Sequence, residues 1–173
     1  ENLVIALSGG VDSSVLAHIL SKITKNIRLV FVQHNQVHSK DLEASAKKVA
    51  KSLNLDLEVI QTSLKSNSSE TEMRDERYKH LLSNLTEDEV LLTGHNLSDK
   101  AETLLINLFR GTRLEGLKSI NSENSLSSKP MINISKKEIY EYANKNDIFY
   151  SEDPTNKDNN IVRNWIRNFL IPE

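Results

Sequence analysis

Apolar and polar positions alternate between two periods through the first two thirds of the chain. Leu3-Val4-Ile5-Ala6-Leu7 is an unbroken apolar run, and beyond it Val11, Val15, Leu16, Ile19, Leu20 and Ile23 return at helical spacing. Together they predict a buried strand, a tight turn and an amphipathic helix. The same succession then repeats. Ile27–Val32 predicts a second strand, and a polar connection over residues 33–40 leads to a helix from Asp41 with Leu42, Ala46, Val49, Ala50 and Leu53 as its stripe. Leu57–Ile60 predicts a third strand, residues 62–69 a Ser- and Asn-rich mobile loop, and residues 70–85 a helix with Leu81, Leu82 and Leu85 inward. Val90–Thr93 predicts a fourth strand, Gly94 the turn after it, and Asp99–Phe109 a helix carrying Leu104, Leu105 and Leu108. Strands alternating with helices make this an α/β chain on a parallel sheet with right-handed crossovers. Ligands of such sheets lie outside the carboxyl ends of the strands. The stretches after Leu7, Val32 and Thr93 are therefore expected to share one crevice.

Past Gly111 the periodicity weakens. Residues 121–129 read as a polar surface loop. Ser135 followed by Glu138 fits a capping box opening a helix to about Asn146. Asp153-Pro154-Thr155-Asn156 reads as a turn, and Ile161–Ile171 as a short final helix with Trp165 and Phe169 four apart. Tyr78 and Trp165 are expected to pack in the core. No repeat or internal boundary is visible, so the 173 residues are read as one domain.

Composition narrows the class. With 27% charged and 38% hydrophobic residues the chain is globular rather than disordered. No apolar run is long enough to span a membrane, and no signal peptide is visible, so the expected setting is the cytoplasm. The absence of an initiator Met and the abrupt start suggest trimmed ends. Zero cysteines exclude disulfides and Cys-ligated metals within the chain. A net charge of −2 and a pI near 6.3 lack the overall footprint of a nucleic-acid binder. Any RNA contact falls to a local basic patch or to a part of the protein outside this chain. No feature of the sequence specifies an oligomer.

Two stretches carry candidate chemistry. The first is Ser8-Gly9-Gly10-Val11-Asp12-Ser13, between the first strand and the first helix. Adjacent glycines let the backbone take positive φ and approach a ligand closely. Hydroxyls and free N–H groups at the helix start meet the positive end of its dipole, which suits a phosphate or pyrophosphate. The Walker A spacing is absent. An ordinary strand-to-helix turn capped by Ser and Asp is the competing reading. The second stretch is His95-Asn96-Leu97-Ser98-Asp99-Lys100-Ala101-Glu102-Thr103. In a helix beginning near Ser98, Asp99 and Glu102 lie three apart on one face, with His95 just ahead of them. Such carboxylates can hold Mg²⁺, orient an amine or accept its proton. Alternatively Ser98 or Asp99 caps the helix, Glu102 complements its dipole, and His95 is an exposed loop residue.

Residues 8–13 resemble the SGGxDS signature of the PP-loop ATP pyrophosphatases. Further blocks are similar to the tRNA(Ile)-lysidine synthetase family within that superfamily. Gly94–Thr103 and Arg110–Leu117 resemble HHxDDQxET…RGTGxxGL. Glu70, Arg74, Arg77 and Tyr78 fall on ExxARxxRYxxL, and Lys129-Pro130-Met131 on RPLL. Glu152, Asp153, Asn156, Asp158, Arg163, Asn164, Arg167 and Pro172 fall on EDxSNxD…RNxxRxxxxP. The departures are specific: Asn96 stands where the pattern has a second His, Ser98 where it has the first Asp, Lys100 for Gln, Met73 for Ala, Arg113 for Gly and Lys129 for Arg. His34 is retained, whereas Asn35-Gln36-Val37 departs from HGLR.

The resemblance implies a three-layer adenine nucleotide alpha hydrolase-like fold. It implies ATP held on Ser8–Ser13 with Mg²⁺, and metal contacts from Asp12 and Asp99. It implies free lysine and a CAU-anticodon tRNA(Ile) as the other substrates. Asp99, Glu102 and His95 become the candidates for amine chemistry. Arg74, Arg77, Arg110, Arg163 and Arg167 become candidates for phosphate or RNA backbone, the plainer alternative being solvated helix faces or helix-internal ion pairs. The resemblance implies that family members continue into C-terminal tRNA-binding domains, which are expected to lie outside these 173 residues. The missing cysteines disfavour persulfide-using thiolases of the superfamily. Another PP-loop enzyme and a non-catalytic adenine-nucleotide-binding module remain the alternatives.

Overall fold

A computed structural model of the chain describes residues 2–34, 39–62, 68, 70–112, 126–152 and 154–171, with only the backbone at 70 and 157. The connection at 35–38, most of the expected mobile loop, the block 113–125, residue 153 and residues 172–173 lie outside the described residues.

The strands are β1 (Asn2–Ala6), β2 (Ile27–Gln33), β3 (Leu57–Gln61), β4 (Glu89–Leu92) and β5 (Ser127–Ser128). The helices are α1 (Val11–Ile23), α2 (Ser39–Leu53), α3 (Glu70–Ser83), α4 (Leu97–Phe109), α5 (Lys136–Lys145) and the short α6 (Val162–Trp165), which widens into a π turn over Ile166–Leu170. A 3-10 turn at Pro154–Lys157 stands where the sequence predicts a turn. The sheet order is β3-β2-β1-β4-β5, and every pairing is parallel.

Both faces of the sheet are covered, which is why consecutive β1 residues Val4 and Ile5 are both fully buried. Ile5, Leu29, Phe31 and Leu92 pack under α1, α2 and α5 through Val15, Leu16, Ala46, Val49, Ile139 and Ala143. Val4, Val30 and Leu91 pack on the opposite face against Leu81 of α3, with Leu82 and Leu85 beside it. The three layers expected of the sequence are thus present.

One correction concerns β5. Ser127 and Ser128 carry no apolar pattern and were expected in a surface loop, yet they extend the sheet. Leu91 N–H donates to Leu126 O at 3.0 Å and Thr93 N–H to Ser128 O at 3.2 Å. A two-residue edge strand needs backbone partners only, so its side chains leave no signal. A second correction concerns Trp165, expected in the core: it is exposed and packs on Phe169, also exposed, and Leu104 and Leu108 of α4 are exposed as well.

One ionic cluster ties the sheet's amino-terminal edge. Arg28 of β2 bonds Glu89 through Nε and Nη2 at 2.6 and 2.8 Å, and also reaches Glu58 and Asn84. The bonds from Arg28 hold the Glu89 carboxyl down at about 2. A depressed carboxyl contributes stability above its unfolded value and loses it as pH falls through the folded one. Arg28→Met should therefore cost about 2 kcal/mol at neutral pH. The gap to wild type should narrow as pH falls from about 4.5 toward 2. Denaturant unfolding at several pH values checks this.

Candidate active site

The order of strands reverses between β1 and β4, and there the carboxyl ends leave a crevice. The two stretches singled out from sequence follow these two strands. Gly94, after β4, seats directly on the start of α1: a Cβ added there would lie 2.9 Å from Ser13 N.

The loop after β1 is braced from within. Ser13 Oγ accepts from Ser8 N–H at 3.1 Å and lies 3.0 Å from Ser8 Oγ. Ser14 Oγ donates to Gly10 O at 2.9 Å. Gly9 has φ +81°, and its carbonyl accepts from Ser45 Oγ at 2.8 Å and Ser151 N–H at 2.9 Å. Its carbonyl thus faces the protein body. Gly10 is the N-cap of α1 and contributes no side-chain cap. The first N–H groups of α1, at Val11, Asp12 and Ser13, have no intrahelical acceptor. A loop of this form leaves donors for an anion.

α4 begins at Leu97, two residues ahead of the predicted Asp99, and its cap is Asn96 rather than Ser98 or Asp99. Asn96 Oδ1 accepts from Ser98 and Asp99 N–H at 2.9 and 3.2 Å, while Asp99 Oδ2 accepts from Asn96 N–H at 3.0 Å. Asn96 Nδ2 donates to Asp12 Oδ1 at 3.0 Å. The departure from His at this position thus joins the two chemical stretches through one buried carboxamide.

Asp12 meets a residue that the sequence reading passed over. Lys136 Nζ donates to its two carboxylate oxygens at 2.8 and 2.7 Å. Lys136 is the first residue of α5, and the expected capping box of Ser135 and Glu138 sets its position. A signal was present: a cation in a helix's first turn opposes the dipole.

Two adjoining cavities of about 630 and 570 Å³ share Ser8, Asp12, Arg77 and Asp99 in their walls. The first reaches down to Val30, Val32 and Leu81 and is also lined by His34, Arg74, Tyr78, His95 and Arg163. Tyr78 therefore faces a cavity rather than the core. Arg74 lies 5.5 Å over the Tyr78 ring, and Tyr78 stacks on His95 at 6.5 Å. His95 bonds Thr93 Oγ1 at 2.8 Å, and burial lowers its pKa to about 4, so it is neutral at physiological pH. His34 is likewise held neutral by burial, at about 4, with Nδ1 3.0 Å from Thr62 Oγ1. Its Nε2 is buried and lacks a hydrogen-bond partner among the described residues. The second cavity is lined by Asn96, Ser98, Lys136, Tyr140, Glu152 and Arg167.

Glu102 lines neither cavity. It is 0% exposed, and Arg167 grips it with Nε at 2.7 Å and Nη2 at 3.1 Å. Arg163 Nε lies 3.7 Å away, and Arg167 Nη2 lies 3.6 Å from Asp99 Oδ1. Desolvation raises the Glu102 pKa, and the arginines oppose that. Of the five candidate arginines, Arg74, Arg77, Arg163 and Arg167 line the cavities, whereas Arg110 is exposed at the end of α4 and lines neither.

The described residues hold no group of three or more His, Asp or Glu side chains fit to cage a metal. Mg²⁺ usually binds through one or two carboxylates, substrate phosphates and water. Asp12 and Asp99, joined by Asn96 beside the phosphate loop, fit that lesser role.

A family model described as a PP-loop domain matches residues 1–173. Curated relatives include the tRNA(Ile)-lysidine synthases of Haemophilus ducreyi, 32% identical over 99% of this chain and 41% of the relative, and of Pseudomonas aeruginosa, 34% identical over 97% and 40%. That of Buchnera aphidicola subsp. Schizaphis graminum is 36% identical over 98% and 40%. This chain thus spans about two fifths of the curated relatives' length. Among solved structures, a U34-tRNA thiolase from Methanococcus maripaludis with its [4Fe-4S] cluster matches with TM-score 0.71 at 20% identity, covering 97% of this chain and 66% of that one. An NH3-dependent NAD synthetase from Campylobacter jejuni matches with TM-score 0.60 at 18% identity, covering 98% and 77%. The structural likenesses concern the fold, and the family match supplies the assignment: this chain belongs to the PP-loop domain family.

Proposed function

We propose that the chain is the ATP-using domain of a ligase that joins free lysine to the wobble cytidine of a CAU-anticodon tRNA(Ile). The reaction runs through an adenylated base and releases AMP and pyrophosphate. The observation that carries the reading is the meeting of Asp12 on the phosphate loop with Asn96 and Asp99 of α4. The curated relatives, each named a tRNA(Ile)-lysidine synthase, support the choice of substrates.

ATP lies with its phosphates on Ser8–Ser13 and its adenosine in the first cavity, whose base is apolar. Mg²⁺, when bound, offsets the charge of the phosphates, and Asp12 and Asp99 are the residues that would hold it. The cytidine C2 oxygen attacks the α-phosphorus, and the bond to pyrophosphate breaks. The lysine ε-nitrogen then attacks C2, the C2–O bond breaks, and AMP leaves. The free N–H groups at the start of α1 stabilise the departing pyrophosphate. Asp99 accepts or relays the amine proton. Glu102 lies one turn further on α4 and does not reach either cavity, so it acts as a positioning residue that fixes Arg167 behind Asp99. His95 is neutral and therefore serves as a hydrogen-bonding wall with Tyr78.

Asp99→Ala should reduce label transfer from lysine to a CAU-anticodon tRNA(Ile) transcript by about 10²-fold or more. Label entering equally with wild type and Asp99→Ala removes the role given to Asp99.

A further inference from the structure

Lys136 stands in this site without a role in the reaction as written. Its position is not one that helix energetics favours. α5 is already closed at its start by the reciprocal Ser135–Glu138 box, and an ammonium in that first turn opposes the dipole. The ammonium instead crosses to α1 and holds both oxygens of Asp12, with Asn96 Nδ2 on one of them. The pair is only partly covered, with side chains 22% and 28% exposed, and it stands on the wall of the second cavity beside Ser8 and Gly10. Tyr140 lies under the ammonium at 5.3 Å.

Two features make this pair more than a brace. A carboxylate whose two oxygens both carry the same ammonium cannot hold that ammonium and serve a divalent cation in full. Ser98, which also lines the cavity, supplies no carboxylate that could stand in for Asp12. Lys136 has a four-carbon stem of rotatable bonds, so its charge can move without moving α5. The anion the family match leads one to expect beside it is the triphosphate on the neighbouring loop.

We propose that Lys136 is a phosphate-contacting cation that changes partners. It holds Asp12 while the loop is empty. It turns to the triphosphate when Asp12 turns to the magnesium carried by ATP, and it stays with pyrophosphate as the α–β bond breaks. This rests on the reading of the loop as an ATP site.

The exchange gives two effects of opposite sign. In Lys136→Met nothing competes with the metal for Asp12, so at nucleotide concentrations scaled to each variant's own affinity at saturating magnesium, binding half-saturates at a magnesium concentration lower by about three- to tenfold. Pyrophosphate release in the presence of lysine and tRNA slows by about 10²-fold because a preorganised positive charge is lost. Lys136→Gln, which keeps a polar contact to Asp12, shows the same two effects, and Lys136→Arg restores most of the rate. The experiment titrates Mg²⁺ against a fluorescent ATP analogue, then measures single-turnover pyrophosphate release with ATP itself, in the longest form the gene encodes. A pair that only braces the fold moves both quantities in the unfavourable direction or neither. Unchanged or higher magnesium demand in both uncharged variants, or wild-type release rates, overturns the exchange. A wild-type protein that fails to bind the analogue at any magnesium concentration overturns the ATP reading itself.

Discussion

Gly9→Ala should abolish nucleotide binding and destabilise the fold by about 3 kcal/mol. Two costs combine. Gly9 has φ +81°, where an L side chain costs about 1–2 kcal/mol. A Cβ there would also sit 2.5 Å from Leu42 O, 3.2 Å from Ser45 Cβ and 3.3 Å from Ala46 N. Those are largely backbone atoms of α2, and α2 cannot yield without disturbing Ala46 and Val49 in the core. Relief comes by shifting the loop, which breaks the bonds of Gly9 O to Ser45 Oγ and Ser151 N–H and re-aims the free N–H groups of α1. Gly10→Ala is the internal comparison. Gly10 has φ −80°, and its Cβ would meet only Ser8 Oγ at 3.5 Å. Its stability should stay within about 1 kcal/mol of wild type. Denaturant unfolding and titration with a fluorescent ATP analogue separate the two variants.

Arg167→Ala should cost about 3 kcal/mol at neutral pH. Glu102 is fully buried and, among the described residues, would keep as a cationic partner the more distant Arg163 at 3.7 Å. Arg167 is itself partly exposed, and water entering the gap keeps the loss below the extreme for a sealed pair. The pH dependence has a definite sign. Desolvation raises the Glu102 pKa in the folded protein, and removing Arg167 removes its largest opposing contact. A carboxyl with a raised folded pKa binds more protons folded than unfolded. Its penalty is absent below the unfolded value and grows as pH rises through the folded one. Arg167→Ala should therefore recover stability relative to wild type on acidification, opposite to Arg28→Met only in its cause. Both gaps narrow toward acid, but Arg28→Met narrows because Glu89 loses a favourable charge, and Arg167→Ala because Glu102 sheds an unfavourable one. Adding Glu102→Gln to Arg167→Ala should restore part of the lost stability.

The fold was legible in sequence where each residue's own neighbours carry the information. Leu3–Leu7 and the stripe from Val11 to Ile23 show their periods within a few residues, and the glycines between them mark the turn. Ser135 and Glu138 announce α5 for the same reason. β5 was not legible, because Ser127 and Ser128 join the sheet by backbone bonds alone. The site was legible as two stretches sharing one crevice, because both follow strands of a parallel sheet at their carboxyl ends; the reversal of strand order between β1 and β4 was not. Which side chains are consumed by each other was not. Arg167 and Glu102 are 65 residues apart and Lys136 and Asp12 are 124 apart, and no local pattern encodes such pairs. Asn96 illustrates the limit well. In sequence it is a departure from a family pattern; in the fold its carboxamide caps α4 and holds Asp12 at once.

In the proposed reaction ATP on Ser8–Ser13 is split to AMP and pyrophosphate on behalf of lysine and tRNA. The most direct measurement follows pyrophosphate release from ATP and Mg²⁺ with a CAU-anticodon tRNA(Ile) transcript, adding lysine, ammonia or sulfide in turn. AMP and pyrophosphate should accumulate in step with lysine entering the RNA, and neither ammonia nor sulfide should replace lysine in this reaction. Turnover driven by ammonia or sulfide, or release of ADP and phosphate instead, would contradict it.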